Sequence, residues 1–399
     1  MKFNKWTVAL AAVGAVSLAS AAKAEEKANM VQTALSGTAI SGYVDTSAQW
    51  NFGTGNARLP DYKFGGSSKA DGFNLNVIQL RIEKPLDEAE WAAGYRVDLW
   101  AGPDANTLGT QSTLASSSGD FAIRQAYVAL RMPVGNGIDW KIGVFDSIIG
   151  YESIESGNNP NYTRSFGHSI EPQTHTGVLA SYRFNDMLSA SMGIANTMGP
   201  SIGARAHGED GKAESSKTYM ASLALTAPES MGFLAGSMLY GGFVNGLNEN
   251  ESRADYDENS ANYYAGVTLA TPVTGLRLGF SFDYLDVHNV RGETWSIAGY
   301  ASYQFPNSKL SLHLRGEYLR DRGDHKFFID SDGNPTNPDR ALALTATAQY
   351  DLWKNVITRL ELRWDHSLTG KGVWGGTDST SPGSLDNEVM LAANIIYKF

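Results

Sequence analysis

The chain has 399 residues, with 42 glycines, 9 Trp, 18 Tyr, 16 Phe and no cysteine, which excludes disulfides, thiolate metal sites and cysteine nucleophiles. Its 32 basic residues against 42 acidic ones leave a formal charge of -10, the wrong sign for a nucleic-acid footprint. At 42% hydrophobic it is too apolar for disorder, and its mean hydropathy is too low for a helical membrane bundle.

The N-terminus reads as a targeting segment. A basic start, Met1 to Lys5, precedes an apolar run from Trp6 to Ala19 and the small-residue cleavage motif Ala22-Lys23-Ala24. Residues 1–24 are therefore expected to be a removed secretory signal, since the run is shorter than the ~20 residues that span a bilayer. Residues 25–38 then form a short periplasmic N-terminal segment. No later stretch resembles a spanning helix, so membrane residence for 39–399 requires a closed β-barrel, which also satisfies every backbone group in lipid.

From Ile40 onward the hydropathy period is two. Ile40, Gly42, Val44, Thr46, Ala48, Trp50 and Phe52 share one face, against Ser41, Tyr43, Asp45, Ser47 and Gln49 on the other. The same alternation places strands near 39–52, 73–84, 90–101, 121–132, 138–146, 175–184, 187–196 and 217–226. It continues at 233–245, 260–271, 276–286, 293–305, 309–320, 340–352, 356–366 and 387–399. Their connections alternate in length. Short turns such as Pro85-Leu86-Asp87, Asn185-Asp186 and Pro306-Asn307-Ser308 separate longer polar loops near 53–71, 102–119, 147–173, 197–216, 246–259, 287–292, 321–338 and 367–385. A soluble sandwich has no reason for that alternation, whereas a membrane barrel has short periplasmic turns and long extracellular loops. The fold class is accordingly all-β: a transmembrane antiparallel β-barrel of about 16 strands. Trp50, Trp91, Trp100, Trp140, Tyr182, Trp295, Tyr303, Tyr350, Trp353, Trp364 and Tyr397 lie near strand ends, where an aromatic girdle belongs.

The last strand, Val389 to Phe399, ends on an aromatic carboxy-terminus. Phe399 resembles the closing-strand signal read by the barrel-assembly machinery.

A more specific stretch surrounds the third long loop. Ile123-Arg124-Gln125-Ala126-Tyr127-Val128 and Lys141-Ile142-Gly143-Val144-Phe145 precede Gly150-Tyr151-Glu152, Asn161-Tyr162-Thr163-Arg164-Ser165 and His175-Thr176-Gly177-Val178. This block resembles the putative β-barrel porin-2 family of Gram-negative outer membranes, over the chain from about residue 37. The resemblance implies a porin-like barrel in the outer membrane of a Gram-negative bacterium without naming a solute. It also implies contacts with membrane lipid and lipopolysaccharide. Analogy with sixteen-stranded general porins adds a homotrimer.

Sixteen strands enclose an aqueous channel, so charges on the polar face set selectivity. Strand parity turns Arg81, Arg96, Lys141, Arg183, Arg277, Arg315, Arg359 and Arg363 inward, balanced by Asp45, Glu83, Asp98, Asp139, Asp283, Glu317, Glu361 and Asp365. Arg96, Asp98, His313, Arg315, Glu317, Glu361 and Arg363 fall near the waist, where they either act on passing solutes or form wall salt bridges. The fourth strand can be read with either Arg124 or Arg131 inward. The 147–173 loop, the longest, offers Tyr151, Glu152, Glu155, Asn158, Arg164 and Glu171 as a pore constriction if it folds inward, as third loops of porins do. Otherwise it is a solvated outer loop.

The residues carry no hydrolase elbow, the seven histidines have no metal-ligand spacing, and Asp330 to Asn334 departs from a calcium loop at Pro335 and Ala341. The sequence thus points to a passive channel for small hydrophilic solutes and ions, weakly cation-selective from its acidic loops, without cofactor, metal, catalytic residue or nucleic-acid partner. A barrel hydrolase and a structural or adhesive surface barrel without an open pore are the competing classes.

Overall fold

The computed structural model describes residues 31–32, 37–52, 69–110, 119–206, 216–247, 259–287, 292–322, 340–369, 374 and 385–399. The expectations for the signal segment, for most of 25–38 and for Asp330 to Asn334 lie outside the described residues.

The barrel strands are β1 (Ala39–Phe52), β2 (Gly72–Lys84), β3 (Ala93–Ala101), β4 (Phe121–Met132), β5 (Ile138–Asp146), β6 (Thr174–Arg183), β7 (Leu188–Ala195) and β8 (Thr218–Thr226). They continue as β9 (Met238–Leu247), β10 (Asn259–Ala270), β11 (Leu276–Val287), β12 (Gly292–Gln304), β13 (Leu310–Asp321), β14 (Arg340–Trp353), β15 (Val356–Ser367) and β16 (Asn387–Lys398). Each pairs antiparallel with its chain neighbours, and β16 returns to β1 with Val389 opposite Phe52 and Lys398 opposite Tyr43. The sheet is a closed barrel of sixteen strands. Val31 and Gln32 add a two-residue pairing to the start of β1.

The wall is apolar outside and polar inside. On β13, Leu312 and Leu314 are 42% and 57% exposed, while His313, Arg315 and Glu317 between them are buried. On β15, Leu360 and Leu362 face outward and Arg359, Glu361, Arg363 and Asp365 inward. The outward apolar band suits hydrocarbon, and the inward charges suit only a lumen.

Among the described residues, two bulges within the wall break the parity, apart from an irregularity beside the turn at Tyr350 to Trp353. Arg124 is the extra residue between Gln125, opposite Asp98, and Ile123, opposite Leu99; Asn76 plays the same part on β2 against the Asp45/Thr46 step of β1. One added residue reverses the alternation beyond it. Arg124 is consequently buried against Asp98, and Arg131 also turns inward to pair with Asp139 at 3.1 Å. The sequence alternation allowed only one of the two; the bulge admits both, so the wall carries one more cation than either reading of that strand allowed.

Two further expectations are corrected. Trp100 is not a girdle residue: it is 1% exposed on the lumen face of β3 and donates through Nε1 to Gln79. The ninth strand starts at Met238 rather than at 233, because Pro228 and the positive φ angles of Gly232 and Gly236 curl Glu229–Leu234 into a 3-10 turn. That turn leaves Met231 and Phe233 half-exposed at the rim that carries the short turns.

At the seam, Gly42 and Phe399 exchange both backbone bonds, at 3.0 and 2.9 Å. The Phe399 ring covers Gly42 so closely that any Cβ there would strike Cζ at 2.7 Å. Phe399→Asp and Gly42→Leu should each reduce the heat-modifiable folded barrel in membrane fractions while leaving secretion intact; an unchanged folded fraction in both would remove Phe399 from assembly. Side is a separate matter. The chain has no cysteine, so an impermeant thiol reagent on intact cells should label Asn106→Cys and spare Asp186→Cys and Asn307→Cys; the reverse pattern would invert the barrel.

Candidate functional site

The connection 147–173 between β5 and β6 folds into the lumen, where almost every residue from Ser147 to Gln173 is buried. Its first part is apolar and meets an uncharged sector of wall. Among the described residues the inward faces of β7 to β10 carry no charged side chain and present instead Met220, Ala224, Tyr240, Val244 and Tyr264. Ile148, Ile149 and Tyr151 dock there. Gly150 makes the turn between them at φ +117°, a region that L side chains rarely adopt, and a Cβ would run into the Glu171 carboxyl. Tyr151 stacks on Tyr300 with centroids 4.2 Å apart, and aromatic pairing adds to its burial.

The second part is polar and meets the charged sector. Glu361 of β15 accepts the amides of Tyr162 and Thr163 at 2.6 and 2.8 Å. Glu317 of β13 accepts that of Phe166 at 2.7 Å, and the loop's Glu152 accepts that of Ser165 at 2.8 Å. The carbonyls are met by arginines: Arg315 donates to Thr163 and Arg164 O, Arg363 to Arg164 O, and Arg359 to Ser156 and Asn159 O. Ser165 caps a short helix, α1 (Phe166–Ile170), by accepting from the His168 amide. Hydrogen bonds to charged groups contribute about 1.5–3 kcal/mol each when made and leave a costly orphan when broken.

On the opposite side a carboxylate of the loop enters a cluster of arginines. Asp98 of β3 receives Arg81 and Arg96 at 2.8 Å each and Arg124 at 2.6 Å. Glu155 bonds the same three, to Arg124 at 3.0 Å, to Arg96 at 3.4 Å and to Arg81 in the shortest contact. Burial pushes the Glu155 carboxyl up, but Arg81, Arg124 and Arg96 outweigh it and hold it at about 2. The second loop also reaches inward. Its six-residue helix, Pro103–Leu108, packs Ala105 and Leu108 against Ile154. Lys69 ties Asp104 at 2.5 Å, and burial raises that carboxyl to about 6 against the pull of Lys69.

The loop is thus inside the barrel, with most of its candidate residues buried against the wall. Tyr151, Glu152, Glu155, Arg164 and Glu171 are all buried. Glu152 pairs with Arg315 at 2.9 Å, Arg164 donates to Tyr162 and Ile154 carbonyls, and Glu171 lies 3.7 Å from His168 Nδ1. Asn158, half-buried, donates to Glu155 at 3.0 Å. Of the wall candidates, Arg315, Glu317, Glu361 and Arg363 hold the loop, Arg96 and Asp98 belong to the arginine cluster, and His313 bonds Ser302 at 2.7 Å. Most of their charges are met by protein groups, which is the wall-salt-bridge alternative of the two readings. Solvent instead reaches Arg81, Arg96, Lys141, Asp146 and Asn158 along β2 to β5. Among the described residues no three His, Asp or Glu side chains converge as metal ligands.

Sequence reasoning missed Asn262, which donates to Ile170 O at 2.9 Å, and did not assign the inward Arg359 to the loop carbonyls it meets. One signal did mark the docking. The motif residues Arg124, Gln125, Gly150, Tyr151, Glu152, Asn161 and Ser165 are the ones that seat the loop.

Comparison with protein families matches residues 37–399 to the putative beta-barrel porin-2, OmpL-like family. No curated protein matches the chain. Solved structures of similar fold include the outer membrane channel DcaP of Acinetobacter baumannii, at 12% identity and TM-score 0.56, covering 92% of this chain and 99% of that one. An anion-selective porin from Comamonas acidovorans is similar at 12% identity and TM-score 0.58, over 91% and 99% of the two chains. Salmonella typhi OmpF, in complex with daunomycin, is similar at 14% and 0.56, over 91% and 98%.

Because the Glu155 carboxyl falls from its ordinary 4.5 to about 2, its anchoring is complete above pH 4.5 and is lost as pH falls through about 2. Glu155→Gln should therefore reproduce at neutral pH the loosened loop that wild type shows only in strong acid. The readout is larger and noisier single-channel conductance. A quiet, unchanged channel in the variant would show that the arginine cluster does not hold the loop.

Proposed function

The chain belongs to the putative beta-barrel porin-2, OmpL-like family, and from that premise we propose that it is an outer-membrane channel for passive diffusion of small hydrophilic solutes and ions. The observation that carries this is the inversion of the wall: leucines face outward, and arginines and carboxylates line a large sector of an interior narrowed by the third loop. An interior of arginines, carboxylates and amides has no use as a dry core at this diameter. Chemistry is not assigned to any of these residues; they bind one another and the loop.

The waist offers little discrimination by sign, because its charges are paired. Preference comes from the mouths. In sequence the long connections carry an acidic excess, largest in 246–259, where Glu249, Glu251, Asp255, Asp257 and Glu258 stand against Arg253 alone. Counter-ions are enriched only within about a Debye length, ~8 Å at physiological salt, so the channel is weakly cation-selective in dilute salt. Trimers are the expected assembly, and insertion is expected to depend on the barrel-assembly machinery, lipid and lipopolysaccharide.

A second reading has its own observation. The dense burial of 147–173 and of Ala105, Leu108 and Thr110 also suits a structural surface barrel whose lumen is stoppered.

Planar-bilayer recording separates the two. Stepwise conductance with a small cation-positive reversal potential that fades in concentrated salt supports the channel, and a silent, correctly folded barrel supports the stopper. Replacing Glu249, Glu251 and Asp255 by their amides should move the reversal potential toward zero; an unmoved potential would place selectivity elsewhere.

A further inference from the structure

On one sector of the long-loop rim the outward face of the wall ends in basic side chains. Arg320, near the end of β13, and Arg340, at the start of β14, are directly opposite each other in the register, and both fall on the lipid-facing parity of their strands. Side chains opposed in this way have Cβ atoms about 4.5–5.5 Å apart, and like charges there repel. The Arg320 side chain makes no ion pair or hydrogen bond among the described residues, and its Nε is buried without an acceptor. Near this rim the outward faces of β12 to β15 carry Arg320, Arg322, Arg340 and His366 against one described carboxylate, Glu293. That carboxylate meets Arg322 at 4.0 Å and the Tyr284 hydroxyl at 3.3 Å, and Asp286 stands opposite it on β11, a further strand away. His366 is bonded to Asn387 at 2.9 Å and stacked on Trp364.

Beneath the arginines the surface turns aromatic and then shallow. Trp295 is opposite Arg320, and Tyr318 packs on Trp295 with centroids 5.3 Å apart. Deeper still, Gly299 and Gly316 are opposite each other. A Cβ on Gly299 would meet nothing within 4 Å, while Leu314 and Leu344 beside this furrow are 57% and 55% exposed. Cations, aromatic belt and apolar furrow follow the order of headgroup, interface and acyl chain in a leaflet.

We infer that this sector of β12 to β15 binds an outer-leaflet lipid through its phosphorylated headgroup, with a phosphate between Arg320 and Arg340 and an acyl chain over Gly299 and Gly316. An anion shared by two opposed guanidiniums turns their repulsion into attraction, and each planar fork can donate two bonds to phosphate oxygens. A lipid is favoured over free phosphate because the pair faces away from the lumen, at the edge of the apolar band. The inference rests on the outer-membrane reading and holds whether or not the lumen conducts.

The test uses the full-length folded barrel in detergent, stripped of lipid, and reads lipid retention and Tm with diphosphorylated lipid A, its dephosphorylated form and inorganic phosphate as probes. Wild type should bind the diphosphorylated form about tenfold more tightly than the dephosphorylated one, with Tm rising as lipid is added. Inorganic phosphate in excess should not displace it. The double variant Arg320→Gln, Arg340→Gln should lose the preference, and Lys84→Gln, lipid-facing at the opposite rim, should keep it. Arg340→Glu guards against a folding defect: it turns the like pair into an ion pair, so it should raise the Tm of the lipid-free barrel while abolishing the lipid-dependent rise. Equal binding of the two lipid forms by wild type, an undiminished preference in the glutamine variant, or displacement of the lipid by inorganic phosphate would each overturn the inference. Neither arginine faces the lumen, so conductance of the glutamine variant should equal that of wild type. Failure of the lipid preference leaves the channel reading standing, and a folded barrel that binds the lipid without conducting overturns the channel reading alone.

Discussion

In hydrocarbon an unpaired backbone amide has no water to turn to, and that constraint organises this chain. Every strand must give its hydrogen bonds to a neighbour, and the last must give them to the first. The pairing of β16 with β1 along ten residue pairs discharges the obligation. Closure then dictates the side chains. Alternate residues meet lipid and the rest meet an enclosed space, so Leu360 and Leu362 can share a strand with Arg359, Glu361 and Arg363 only because the two sets never see the same solvent.

The enclosed space creates a second problem, which the third loop resolves. Arginines and carboxylates drawn out of water are unfavourable unless each is paired and its remaining hydrogen-bonding capacity met. The loop supplies what the wall lacks: backbone amides for Glu317 and Glu361, carbonyls for Arg315, Arg359 and Arg363, and the Glu155 carboxylate for Arg81, Arg96 and Arg124. A loop held by apolar contact alone could slide along the barrel. Here the uncharged sector fixes Ile149 and Tyr151, and the charged sector fixes the register of Tyr162 to Phe166. The division of the lumen into two sectors is what gives the loop a single path.

The same pairing separates two kinds of charge that composition cannot distinguish. Arg315 and Arg363 are fully buried and serve the loop, while Lys141 and Arg277 keep some exposure. Ionic traffic through such a pore depends on the second kind, and the integrity of the waist on the first. A charge count over the wall treats them alike and so misses which of them are tied to the loop.

The strand period, the alternation of short and long connections and the aromatic terminus were sufficient to establish the barrel, because each is a local consequence of a wall with two solvents. Fifteen of the strand starts were legible to within three residues, and the ninth was not, since Phe233 and Met231 alternate as a strand would while Gly232 and Gly236 turn the backbone. The motif around Gly150-Tyr151-Glu152 marked the loop as special without saying how. Its roles were settled only by tertiary structure: a bulge at Arg124 reverses parity, so that two arginines written on opposite faces share one, and partners such as Glu361 and Tyr162, or Glu155 and Arg81, stand far apart in the chain. Local pattern records which face a residue takes; which charges meet across a lumen is decided by closure, and closure is a property of the whole sheet.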